Sequence, residues 1–418
     1  MQSDSLGNPV TLQDPASLAA LNDFVEGVIS CEMRAVNVLK LAHTDGAALP
    51  QAYGAALQLF AESADAATNA RPFLQRAQRA IATETQTTPR ERRFVAAILA
   101  WADGDLPRTC QLLEEQVREF PRDLVALKLG QYHCFNLGDS EAMLRLALSA
   151  SPAAADVPYL HGMLAFGYEQ CHVLDAAEQS ARRGIQMCRK EPWAHHAVAH
   201  VMLTQGRHDE GRDFMAEHSD TWVGLNSFMV THNHWHRALF AIELQDFDTA
   251  LALYDTHIWG VVKTYSQDQV NAVSLLSRLE LHGVDVGERW QDLAAYLAVR
   301  TQDQVSPFLD LHYLYGLARA ESGAAGIGLS GVSGVSGQAS ASATLLRNIE
   351  AHAQACATRY PAWLAVAVPA ARGILAHLQH DRARAAQQLG LALPRLTEIG
   401  GSHAQRDWFA QIYRANAV

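Results

Sequence analysis

Two histidine pairs, His196 with His200 and His232 with His236, carry the types and spacing in this 418-residue chain that could do chemistry. Residues four apart on a helix return to one face about a turn higher, so each pair projects two imidazoles side by side. Pro192 stands where the first helical position of the earlier segment falls, which suits its missing N–H. Both pairs are offset by 36 residues, close to one helical-hairpin repeat, so they occupy equivalent helices of consecutive units. Counted back from the following turns, His200 precedes Gly206 by 6 residues and His236 precedes Gln245 by 9. That count predicts the second pair one turn lower on the same face, with His236 level with His196. Converging imidazoles serve either proton transfer near neutral pH or metal ligation. Asp255 and His257 close the run from Thr249 and are placed to approach from the adjacent element and orient an imidazole.

The same spacing rules out one metal chemistry. A metalloprotease helix carries its general-base Glu directly after the first His, and Ala197 and Asn233 stand there instead. Two readings remain. A divalent metal such as zinc is held by three of the four histidines with Asp255, or metal-free imidazoles act as acid and base in a hydrolysis or elimination. A single buried His usually just satisfies a neighbouring carbonyl, and the repetition of the pair in consecutive units is what points to a site. A serine-hydrolase elbow needs a strand, a turn and a helix, and no strand is evident.

The histidines need a scaffold, and turn signals recur between Ala-rich apolar segments: Gly104-Asp105, Gly138-Asp139, Leu174-Asp175, Gly206-Arg207 and Gln245-Asp246. The steps of 34, 36, 32 and 39 residues match the tetratricopeptide period, in which antiparallel helix pairs stack because neither helix can bury its apolar face alone. The expected fold is all-α, a tetratricopeptide-like superhelix (α-solenoid) of degenerate antiparallel helix pairs. Residues 1–90 form an N-terminal helical cap, 91–258 the repeats with the His-rich inner face, and 259–418 C-terminal helical repeats. A Gly/Ser-rich loop is expected at 322–342, too poor in apolar residues to order itself. First helices of such pairs line the concave side, which predicts an inner wall of imidazoles. Lys128 and Tyr132 lie ten and six residues before Gly138 and Tyr168 six before Leu174, and they extend that wall. Trp235, flanked by His234 and His236, is a core residue or a stacking surface for a ligand.

Near the C-terminus Ser402 and Gln405 have capping-box spacing. Arg406 is electrostatically out of place in a first helical turn unless an anion or carboxylate pairs with it, so it is a candidate ligand-binding residue. The strings His196-Ala-Val-Ala-His200, His232-Asn-His-Trp-His236, Tyr254-Asp-Thr-His257 and Gly401-Ser-His-Ala-Gln-Arg-Asp407, in this order and spacing, resemble the tetratricopeptide repeat protein 38 family. The resemblance extends from about Leu18 to the C-terminus. It implies stacked helical hairpins and no particular activity.

Composition limits the partners. Thirty-three Lys and Arg against 44 Asp and Glu give a net charge of -11, which offers no engine for gripping phosphate backbones. Nucleic acid is excluded as the expected partner. The longest apolar stretch, Trp363 to Ala371, is too short for a bilayer and contains Pro369, so no membrane partner is expected. No basic and apolar leader opens the sequence and the six cysteines form no CxxC pair, which predicts a cytoplasmic protein with reduced, mostly buried thiols. The functional expectation is a small molecule bound in the His-rich groove, with His-based catalysis left open. The alternative is a non-enzymatic scaffold that holds a peptide in the same groove, and a homodimer is compatible with either.

Overall fold

The computed structural model describes residues 2–83, 86–326 and 340–417. Among them the chain is all-α apart from one short antiparallel hairpin, Gln2–Ser3 with Pro9–Val10. Two-residue strands have no periodicity to read, which is why the sequence shows no sign of them. The chain divides into two compact units, residues 1–135 with 139–233 and residues 136–138 with 234–418. The division falls inside one continuous helix, Ser227–Glu243.

In the first unit helix pairs follow one another with short turns: Pro89–Ala102 with Leu106–Glu119, Leu124–Asn136 with Ser140–Ala154, Pro158–Gln170 with Leu174–Met187, and Pro192–Thr204 with His208–His218. Each turn holds a residue at positive φ, namely Gly104, Gly138, His172 and Gly206, spaced at a constant 34 residues. Asp105, Asp139 and Asp246 then accept from the backbone N–H three residues on and start the next helix. The sequence places the third turn at Leu174-Asp175, two residues late, because His172 takes the left-handed conformation that glycine takes in its neighbours.

The two helices of a pair differ in kind. His208–His218 buries one stripe, Gly211, Phe214, Met215 and His218. Pro192–Thr204 instead buries every residue from Ala194 to Met202. A helix buried on every face lies in the interior, and this one carries His195, His196 and His200 inside with it.

The segment read as a Gly/Ser-rich loop, 322–342, lies mostly outside the described residues. Its edges are helical, in Pro307–Gly326 and again from Ala341, where the Ser340 hydroxyl caps the start of Ala341–Ala355. Only Cys31 and Cys134 of the six free cysteines are buried; the other four are partly exposed, against the expectation of mostly buried thiols. Among the described residues no helix is long and apolar enough to cross a membrane.

Candidate metal centre

Helix Pro192–Thr204 starts at Glu191, whose carboxylate accepts from Ala194 N–H, with Pro192 at the first helical position. Burial pushes the Glu191 carboxyl up to about 8, against the opposing pull of the Ala194 N–H and Lys128. The next first-of-pair helix, Ser227–Glu243, begins where Asn226 Oδ1 accepts from Met229 N–H. His196 is four residues into the first helix and His232 five into the second, so the pairs stand at matching depth from the helix starts.

His196, His200, His232 and His236 converge: each can offer one ring nitrogen, and these nitrogens all lie within 4.8 Å of one another. His196 Nε2 is 2.9 Å from His200 Nε2 and 3.1 Å from His232 Nε2. The close cross-helix partner of His196 is therefore His232, not the His236 that the turn count predicts. Pro192–Thr204 has 13 residues and Ser227–Glu243 has 17, and the extra turn is added after the histidines, where a count from the following turn picks it up.

The histidines expected on a concave inner wall are buried. The four imidazoles are 1, 1, 2 and 0 % exposed in chain order and are packed in aromatic rings. Phe166 stands 5.2 Å from His196 and 5.9 Å from His200, Trp193 lies 4.7 Å from His196 at 30°, and Phe228 stacks on His232 at 5.1 Å. Phe166 is six residues before the left-handed His172, just as His200 is six before Gly206. The misplaced turn put Tyr168 in that position. Tyr168 is half-buried and packs against the core of the first unit.

An imidazole nitrogen has one in-plane lone pair or one N–H, so His196 Nε2 can serve one of its two close neighbours properly. An ion bound at about 2.0–2.1 Å from each nitrogen would set tetrahedral neighbours about 3.4 Å apart and right-angled ones about 2.9 Å apart. The observed 2.9 and 3.1 Å fall at the near end of that range. Imidazole donors suit zinc, copper, nickel and iron.

The sequence missed Glu169. This residue ends the Pro158–Gln170 helix, is fully buried, and places Oε1 3.5 Å from His200 Nδ1. Gln170 Nε2 donates to its other oxygen at 2.5 Å. An acidic residue among Leu160, Met163, Leu164 and Phe166 is the signal that was available, since a carboxylate is placed in such surroundings only with partners.

The other candidates have different employment. Asp255 is ion-paired with Arg289 through both oxygens, at 2.9 and 2.6 Å, and its side chain is half exposed, so it is not drawn to an imidazole. His257 is exposed and lies against His234, with ring centroids 4.0 Å apart. Lys128 Nζ donates to Ile29 O and Cys31 Sγ, at 3.3 and 3.0 Å, and stands 5.0 Å from the centroid of the Trp193 ring. Tyr132 donates to Glu62 Oε1 at 2.7 Å within a cluster of Phe60, Trp101 and His133. Trp235 is completely buried, with its ring 4.9 Å from His236 and the Arg278 guanidinium 5.9 Å from its centroid, which makes it core and not a surface for a groove ligand. Arg406 donates to the Gly401 carbonyl and lies 3.2 Å from His403 Nδ1, both within its own turn.

No family model matches the chain.

Proposed function

We propose that this chain is a metal-binding helical-repeat protein, and that His196, His200, His232 and His236 together hold one divalent transition-metal ion of the zinc class. The observation that carries the proposal is the convergence of four ring nitrogens within 4.8 Å on two helices. Four neutral imidazoles leave the full charge of the ion to be balanced by buried groups further out. Burial of all four favours a closed, four-coordinate ion over an open catalytic one, because a catalytic site keeps a position for water or substrate. It also weighs against the groove reading, in which a small molecule or peptide would touch these histidines from solvent. The wider reading as a tetratricopeptide-like array is supported by the constant 34-residue turns.

The test is metal analysis of untagged protein, stripped with chelator and reloaded with zinc or cobalt(II). One equivalent is expected, with cobalt visible bands that disappear in the His196→Ala/His232→Ala double variant. A stripped protein that takes up no cobalt while keeping its far-UV circular dichroism would overturn the proposal and leave a proton-sharing imidazole cluster.

A further inference from the structure

His200 has its two ring nitrogens engaged in different directions. Nε2 enters the cluster, 2.9 Å from His196 Nε2, while Nδ1 faces Glu169 Oε1 at 3.5 Å. Glu169 comes from the preceding first-of-pair helix, Pro158–Gln170, one repeat earlier than His200. Both residues are at most 1 % exposed. The second carboxylate oxygen accepts from the Gln170 side-chain amide at 2.5 Å.

Resting on the metal reading above, we propose that Glu169 is a positioning residue for that ion: it accepts the Nδ1–H of His200, so that the Nε2 lone pair is free for the metal. Two physical arguments lead there. A neutral imidazole carries one proton, and a carboxylate beside Nδ1 draws the proton to that nitrogen, leaving the opposite one as the donor atom. A divalent ion among neutral ligands in an apolar interior also needs compensating negative charge nearby, and a carboxylate one imidazole away supplies it without occupying a coordination position. Glu169, His200 and the ion then form a carboxylate–histidine–metal relay. The buried polar pair Glu169–Gln170 closes a mostly apolar helix beside the histidine of the next repeat. The site therefore draws on three consecutive repeats, with ligands from two and the orienting carboxylate from a third.

The experiment uses the full chain with cobalt(II) and zinc. Glu169→Gln keeps the size of the side chain and removes the charge, so cobalt affinity measured against a competing chelator is expected to fall about 10- to 100-fold. The energies of the visible bands should shift, and the thermal midpoint of the metal-free protein should stay within a few degrees of wild type. Glu169→Asp, which retains a carboxylate, should recover part of the affinity. In zinc-loaded wild type, nitrogen-15 imidazole spectra should show His200 protonated at Nδ1 and bound through Nε2, a result that depends on no variant folding. Unchanged affinity and bands in Glu169→Gln, or a His200 bound through Nδ1, would overturn the role of Glu169 while leaving the metal site standing. Wild type that binds neither ion would instead remove the metal reading, and this inference with it.

Discussion

His196 and His232 are 36 residues apart in the chain and bring their Nε2 atoms to 3.1 Å. One belongs to Pro192–Thr204 and the other to Ser227–Glu243, so an ion held by both ties consecutive first-of-pair helices together. Metal that binds only the folded chain stabilises it in proportion to the logarithm of its excess over Kd, about 2.7 kcal/mol at a hundredfold excess. Zinc or cobalt added to stripped protein should therefore raise the thermal midpoint of wild type and leave that of His232→Ala unmoved. An equal rise in both would place the metal elsewhere.

Truncating a buried imidazole should be expensive even without metal. His236 is fully buried beside Trp235, so His236→Ala opens a cavity and is expected to destabilise the metal-free protein by about 2–5 kcal/mol, as buried large-to-small changes do. Urea unfolding of stripped protein measures this, and a loss below about 0.5 kcal/mol, typical of surface changes, would contradict the burial.

Glu191 makes stability depend on pH. Its folded value is raised from 4.5 to about 8, so the folded chain holds a proton that the unfolded chain has released across that interval. The contribution of this group is complete below about pH 4.5 and is lost as pH rises through about 8. Glu191→Gln keeps an oxygen to cap Ala194 N–H and removes the titration. Its unfolding midpoint relative to wild type should improve steadily from pH 5 to pH 8.5. A difference that does not change with pH would refute the assignment.

Arg90 anchors the N-terminal hairpin. Its guanidinium is 3.0 Å from Asp123 Oδ2, 3.7 Å from Asp4 Oδ2 and 3.2 Å from the Pro9 carbonyl, and the side chains of Arg90, Asp4 and Asp123 are buried. Arg90→Met strands two carboxylates in the interior and should cost about 3–5 kcal/mol. Adding Asp123→Leu should recover part of that loss in a double-mutant cycle, and a strictly additive result would show that the pair is not coupled.

Gly401 has φ of +80° following Gly400 at +79°, and a Cβ built on Gly401 would stand 2.6 Å from Phe308 Cε2. Gly401→Ala combines a backbone conformation unfavourable to L-residues with a clash against a buried ring, and should destabilise by more than about 1 kcal/mol. A thermal midpoint equal to wild type would show that the turn before the Ser402 cap can be rebuilt.

Much of this protein is decided locally. The all-α class, the period of the helix pairs, the Ser402–Gln405 capping box and the pairing of histidines four apart follow from interactions within a few residues, and each was legible in the sequence. The convergence of the two pairs also followed from the 36-residue offset, because equivalent helices of consecutive repeats run side by side. What the sequence could not decide was which way the imidazoles face and what supports them. Exposure is a property of all the neighbours of a helix together, and only tertiary packing surrounds Pro192–Thr204 so completely that its histidines lie inside. The same cause hid Glu169, which reaches His200 from a different repeat. It also separated Asp255 from the site, since a carboxylate goes to the nearest well-oriented cation, and packing brings Arg289, 34 residues away, to that place.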